Sequence, residues 1–254
     1  MNQLKKIAIH GVPRSGTTWL GAIFDSHPNL IYKLQPLFSY RFKDRLTPNS
    51  SKDEINIFFK ELAYVSDDFL DQNEGKTNGI IPNFIKDDKK ITHLCYKEVR
   101  YHHILENMLI NNLELKIVGL IRNPFSVINS WLKAPKEFKK ELGWKIEDEW
   151  RDAPKKNLNK PEEFNGYNKW KEVAFLFLKL KQDYPQRFYL LAYENLLADR
   201  VSEIKKLFEF AELEYTAQTS EFLNDSGQKH DQDARRNYRT ALRFVAFQMT
   251  DRLL

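Results

Sequence analysis

Lys5-Lys6-Ile7-Ala8-Ile9-His10, followed by Gly11-Val12-Pro13-Arg14-Ser15-Gly16-Thr17-Thr18, decides the fold. The first six residues are a short apolar run of strand character, and the next eight carry two glycines, one cation and three hydroxyls. Glycines let the backbone turn tightly, so successive N–H groups converge on one point where a helix begins. The helix dipole adds positive potential there, and the combination suits an anion. The spacing nearly satisfies the nucleotide-binding pattern G-x-x-x-x-G-K-[ST], but Thr17 stands in the lysine position. The ammonium that reaches the outer phosphates of ATP is therefore missing. The cation sits three places earlier, at Arg14. Such a loop suits a phosphate held differently from a magnesium-bound triphosphate.

Outward from this loop, further strand-like runs fall at Leu94–Val99, Leu115–Ile121 and Phe188–Tyr193. Helical patterns separate them: Thr17–Ser26, stopping at His27-Pro28; Lys52–Leu70; Tyr101–Asn111; Phe125–Lys133, opened by Pro124; Glu162–Tyr184, behind Pro161; Val201–Ala211; and Ala234–Leu254. Strands alternating with helices predict a single α/β domain over residues 1–254. Its expected form is three-layered and P-loop-like, a parallel sheet flanked by helices. Ligands in such sheets sit beyond the carboxyl ends of the strands. Residues 39–90 and 134–166 are long, charged and turn-rich, and read as acceptor-side insertions or lids.

Composition narrows the function. The 40 basic residues are offset by 35 acidic ones, giving a net charge of +5. No basic stripe marks a nucleic-acid partner. No run approaches the roughly 18 consecutive apolar residues of a transmembrane segment, and residues 1–10 read as a strand entering the glycine loop, not as a signal peptide. One cysteine, Cys95, rules out an internal disulfide and fits a reducing compartment, so a cytoplasmic location is expected. No residue cluster has metal-ligand spacing, and no metal is expected.

A second block, Ile117 to Ser130, reads as a strand, an arginine at its end, and a helix carrying a serine. Arg122 and Ser130 can close on one phosphate from two sides. The two blocks together resemble the PAPS-dependent sulfotransferases. Pro13-Arg14-Ser15-Gly16-Thr17-Thr18-Trp19 is similar to that family's 5′-phosphosulfate loop. Arg122 and Ser130, eight residues apart, are similar to its 3′-phosphate motif. The resemblance implies that Arg14 and the backbone and hydroxyls of Ser15, Gly16, Thr17 and Thr18 hold the 5′-phosphosulfate of 3′-phosphoadenosine-5′-phosphosulfate (PAPS), and that Trp19 lies against the adenine. Tyr193-Glu194-Asn195-Leu196 resembles a Tyr-Glu-Asp-Leu element whose tyrosine approaches the nucleotide. Tyr96–Tyr101 and Ser26–Tyr32 are similar to segments of carbohydrate sulfotransferases acting on 6-hydroxyls of N-acetylglucosamine or galactose. These blocks cover less than half of the chain.

The implied reaction is in-line sulfuryl transfer to a hydroxyl, leaving 3′-phosphoadenosine-5′-phosphate (PAP). It needs cations at the leaving phosphate oxygen. Lys97 is the candidate, helped by Arg14 and Thr17. A sugar hydroxyl also calls for a general base. The carbohydrate branch carries Glu-Pro shortly after the His-Pro turn, whereas this chain has Gln35-Pro36, and an amide cannot accept a proton at neutral pH. Another residue is then the base, or activity is impaired, or proton transfer is late enough to need orientation alone. Glu98, His102 and His103 are the replacement candidates, with Glu98 expected to point away from Lys97. His93 is too far from Arg122 in sequence to match the Lys-Thr-His element of small-molecule sulfotransferases. Trp131, Trp144, Trp150, Tyr167 and Trp170 suit sugar rings, and Arg235 or Arg236 suits a basic loop closing over the nucleotide. A small-molecule or lipid-linked hydroxyl, a non-transferring donor-binding relative and a P-loop kinase stand as alternatives.

Overall fold

The computed structural model describes residues 4–227. Five strands carry the scaffold: β1 (Lys5–His10), β2 (Leu30–Leu34), β3 (His93–Glu98), β4 (Leu115–Ile121) and β5 (Phe188–Ala192). The helices are α1 (Thr17–Asp25), α2 (Lys52–Tyr64), α3 (Asn73–Thr77), α4 (Leu105–Asn111), α5 (Pro124–Leu132), α6 (Ile146–Glu149), α7 (Pro154–Asn157), α8 (Tyr167–Asp183), α9 (Tyr193–Ala198) and α10 (Arg200–Ala211). All strand pairs are parallel, in the order β2-β3-β1-β4-β5. The order reverses at β1, with β3 on one side and β4 on the other, so the crevice beyond its carboxyl end is the place for a ligand.

Alternation along the strands builds the two faces. Ile7, Ile9, Val118 and Leu191 pack with α1 and α10 through Leu20, Phe24, Leu207 and Phe208. Ala8, Leu94, Tyr96 and Ile117 pack with α2, α4 and α8 through Phe58, Phe59, Leu105 and Phe177. A sheet apolar on both faces needs a helical layer on each, and the expected three-layer α/β fold follows.

The departures from the sequence reading are local. β2 escaped it because Lys33 interrupts a five-residue run. That lysine is buried and donates from Nζ to the Val65 carbonyl at 2.6 Å and to Asp71 Oδ1 at 2.5 Å. α2 opens on a Ser51/Glu54 capping box. It stops at Tyr64 instead of Leu70 because Asp67 Oδ1 accepts from the Phe69 and Leu70 amides, which gives the chain a turn in place of a helix. α8 starts at Tyr167 instead of Glu162. Residues before Gly166 are held by Asn157, which accepts from the Asn165 amide and donates to its carbonyl. The segment from Tyr101 opens as a 3-10 turn, His102–Ile104, because Tyr101 takes a left-handed φ of 57°. The expected helix Ala234–Leu254 and the Arg235/Arg236 loop lie outside the described residues.

Part of the 39–90 insertion is structural. Lys86 reaches Asp25, which is 3% exposed, at 2.9 Å, and it also donates to the carbonyls of His27 and Leu30. Among the described residues, no helix is long and apolar enough to cross a membrane.

Candidate active site

Each strand sends one residue into a single cleft of about 430 Å³ at the carboxyl edge of the sheet: Arg14 after β1, Gln35 after β2, Lys97 in β3, Arg122 after β4 and Tyr193 after β5. The loop after β1 is shaped as its glycines require. Arg14 and Gly16 hold φ of 72° and 101° on either side of Ser15, and α1 starts at Thr17 with no side-chain cap. The first amides of α1 therefore stay directed at whatever anion the loop holds. A Cβ on Gly16 would lie 2.5 Å from Tyr193 Cε2, so the loop backbone rests directly on that ring. Thr17, Thr18 and Trp19 line the cleft. Ser15 does not. Its hydroxyl donates to the Val12 carbonyl at 2.7 Å, and the side chain braces the turn from inside.

The second motif meets the first. Arg14 Nε donates to Ser130 Oγ at 3.1 Å, and Arg122 Nη1 donates to the Arg14 carbonyl at 3.2 Å. Arg122 also lies over the Tyr193 ring, 4.5 Å from its centroid. Trp170 Nε1 donates to the Arg122 carbonyl, and Glu194 accepts from the Asn123 amide at 2.9 Å, fixing the end of β4 from both flanks. The Tyr-Glu pair thus has two jobs: the tyrosine packs on Gly16 and Arg122, and the glutamate pins the Arg122 turn. Trp19 is nearly buried edge-on to Tyr193, its indole N–H donating to Ser226 Oγ.

Lys97 is 3% exposed and borders the cleft. Burial pulls its ammonium down to about 8. Glu98 points away from the cleft, as alternation requires: Oε1 accepts from the Val99 amide and Oε2 is buried without a partner. Burial pushes that carboxyl up. His102 is not on the cleft wall either. It is fully buried, with Nδ1 3.1 Å from His10 Nδ1, its ring packed on Phe164 and Phe177, and desolvation keeps it neutral. His103 stacks between Tyr101 and Phe164, also off the cleft. The structure thus gathers Arg14, Thr17, Lys97, Arg122 and Ser130 and leaves Glu98 and His102 in the interior. His93 lies at the opposite end of β3, its Nε2 against the Ala211 carbonyl.

Gln35 takes a left-handed φ of 41°, donates its amide to the Lys97 carbonyl at 2.8 Å and buries Oε1 without a partner. Glu137, Lys156 and Asn165, from the 134–166 insertion, also line the cleft. Nothing in their charged, turn-rich sequence marks them, because only the folding-back of that insertion brings them there. A second cavity of about 460 Å³ shares Phe38 and Arg100 with the first and is walled by Tyr40, Phe69 and Tyr101, with Lys43 and Lys160 at its rim. The expected tryptophan platform is corrected. Trp131 is buried with Phe138, and Trp144, Trp150 and Tyr167 pack against them as a small core. Trp170 stacks on Tyr167. The exposed aromatic side chains at the site are those of Phe38, Tyr40 and Phe69, with the Arg100 guanidinium over the Phe38 ring, 4.1 Å from its centroid. Among the described residues, no group of His, Cys, Asp and Glu can hold a metal ion.

The family model described as sulfotransferase domain matches residues 4–241. No curated protein matches the chain. Among solved structures, a mouse sulfotransferase, SULT7A1, complexed with PAP is similar with a TM-score of 0.51 and 14% identity, over 91% of this chain and 66% of that one. The sulfotransferase domain of the Synechococcus PCC 7002 olefin synthase is similar with a TM-score of 0.50 and 18% identity, over 86% of this chain and 77% of that one. At these identities the likeness is one of fold.

Proposed function

We propose, for a chain that belongs to the sulfotransferase domain family, that it moves a sulfuryl group from PAPS to a hydroxyl of a carbohydrate acceptor. The observation that carries this is the meeting of two anion-holding groups, remote in sequence, within one cleft: Arg14 on the glycine loop bonds Ser130, and Arg122 bonds the Arg14 carbonyl. Two phosphate-type sites on one nucleotide distinguish a 3′-phosphorylated donor from ATP. Arg14 and the first turn of α1 hold the 5′-phosphosulfate, Arg122 and Ser130 the 3′-phosphate, and Trp19 and Tyr193 flank the nucleotide.

In the transfer, the acceptor oxygen forms a bond to sulfur as the bond from sulfur to the 5′-phosphate oxygen breaks. The electron pair stays on that oxygen, and Lys97, Arg14 and Thr17 stabilise the charge it gains. Water-poor surroundings strengthen this, since Lys97 is almost wholly buried. The second cavity, which shares Phe38 and Arg100 with the first, takes the acceptor. Its aromatic faces and charged rim suit a sugar ring. The same apolar walls also favour a second reading, a small-molecule or lipid-linked alcohol. The single cysteine, Cys95, supports a reading of the location as a reducing compartment such as the cytoplasm.

Transfer from sulfur-labelled PAPS to parallel panels of oligosaccharides and of aliphatic and phenolic alcohols tests both readings. Label on the oligosaccharides supports the first, and label on the alcohols alone replaces it with the second. Tighter binding of Mg-ATP than of PAP would return the chain to the kinases. PAP binding with no transfer to either panel would make it a non-transferring relative.

A further inference from the structure

An acceptor hydroxyl must lose a proton during transfer, yet the residue at the expected place on the wall, Gln35, has an amide that cannot take it. Glu98 and His102 are buried behind the sheet edge and do not reach the cleft. Of the described residues that line the cleft, Glu137 is the one carboxylate, and no histidine stands there.

Glu137 is held at this wall by its own stretch of chain. Its amide donates to the Ala134 carbonyl at 2.9 Å, closing a turn after α5. The next residue, Phe138, is 2% exposed and wedged between Trp131 and Trp144, with ring centroids 5.5 and 5.8 Å away. That anchor gives the glutamate a fixed base. Its side chain keeps 30% of its surface open, and among the described residues its side-chain polar contact is a long one, 3.4 Å from Arg14 Nη1. Arg14 meanwhile gives its Nε to Ser130. The carboxylate therefore stands beside the loop that holds the sulfuryl donor and retains lone pairs for another partner.

We propose that Glu137 is the general base of the transfer; this rests on the reading of the cleft as a sulfuryl-transfer site. As the acceptor oxygen bonds to sulfur, its O–H bond breaks and the proton passes to a Glu137 carboxylate oxygen. The bond from sulfur to the phosphate oxygen breaks with its electron pair retained by PAP. Charge is conserved with no further reactant. The cations that line the cleft with Glu137 are Arg14 from the β1 loop, Lys97 from β3, Arg122 from the end of β4, Arg100 after β3 and Lys156 from α7.

The test uses Glu137→Gln and Glu137→Asp in the full chain, with labelled PAPS and whichever panel acceptor the wild type sulfates, alongside calorimetric PAP binding. Glu137→Gln should lower kcat by about 10²- to 10⁴-fold, change PAP affinity less than about threefold, and remove the acid limb of the kcat/KM profile. Glu137→Asp should keep that limb and part of the rate. PAP binding also reports that each variant is folded. Turnover of Glu137→Gln within tenfold of wild type overturns the assignment. So does an acid limb that survives, or a loss explained by weaker PAP binding, since either makes Glu137 only a strut for Arg14. If the wild type binds PAP but transfers to nothing, the sulfuryl-transfer reading fails and this inference falls with it.

Discussion

Replacing Lys97 with methionine should make the protein more stable and nearly inactive. The lysine is 3% exposed at the floor of the cleft, and desolvation is the largest influence on its ammonium, lowering it from 10.5 to about 8 even with the Glu98 carboxylate attracting it. At ~1.4 kcal/mol per pH unit, holding that charge in the folded protein costs about 3 kcal/mol. Methionine keeps the length and removes the charge. It strands no anion, because burial already raises the neighbouring Glu98 carboxyl, and losing Lys97 raises it further into its neutral form.

The sign of the pH dependence follows from the lowered value. Below about pH 8 the lysine is charged in both the folded and unfolded states, and the whole cost is present. Between about 8 and 10.5 the folded protein sheds the proton while the unfolded chain keeps it, so the wild type gains stability as pH rises. Above 10.5 the cost is gone. Denaturant unfolding of both proteins at pH 7 and pH 10 should show Lys97→Met ahead by up to about 3 kcal/mol at the lower pH and the gap closing at the higher. Turnover should fall by about 10²- to 10³-fold, the effect of losing one preorganised donor to a developing oxyanion. Wild-type activity should itself decline as pH rises through about 8. A variant that is less stable at pH 7, or one that turns over at near wild-type rate, refutes the reasoning.

Gly16→Ala forces an L-residue into a φ of 101° and sets a methyl 2.5 Å from Tyr193 Cε2. It should cost at least about 1–2 kcal/mol in thermal unfolding and weaken PAP binding measured by calorimetry. Arg122→Ala should erase most of the preference for PAP over adenosine 5′-monophosphate, by roughly 10- to 100-fold, since one charged hydrogen-bond donor to the 3′-phosphate is lost. An unchanged ratio would mean that Arg122 does not meet that phosphate. Lys86→Met leaves Asp25 buried, with only Lys76 at 3.5 Å. Stability in urea should drop by about 3 kcal/mol, with PAP binding nearly unchanged, because the pair lies away from the cleft.

The donor side of this site is legible in the chain because its chemistry is local. A glycine loop between a strand and a helix creates its anion site from neighbouring amides, so Gly11 to Thr18 announces it. Arg122 and Ser130 announce themselves in the same way, one at a strand end and the other on the helix that follows. Lys97 was readable as a strand-end cation, but its burial was not. The acceptor side is different. Tryptophans that suit a sugar ring are consumed in packing around Phe138, and the exposed rings are those of Phe38, Tyr40 and Phe69. His102 sits three positions after a readable strand end, yet the 3-10 turn forced by Tyr101 rolls it into the core beside His10.

What the sequence determined unaided is the parallel α/β scaffold and the place of its anion loop, since alternating strands and helices with one glycine turn leave few ways to bury their apolar faces. The tertiary structure decided which carboxylate shares the cleft with Arg14. Glu98 is adjacent to Lys97 in the chain and faces away, whereas Glu137 lies 123 residues from Arg14 and stands within 3.4 Å of it. A strand's alternation separates neighbours, and a folded insertion joins strangers. Only chain closure over that distance, fixed by the burial of Phe138, brings the two together.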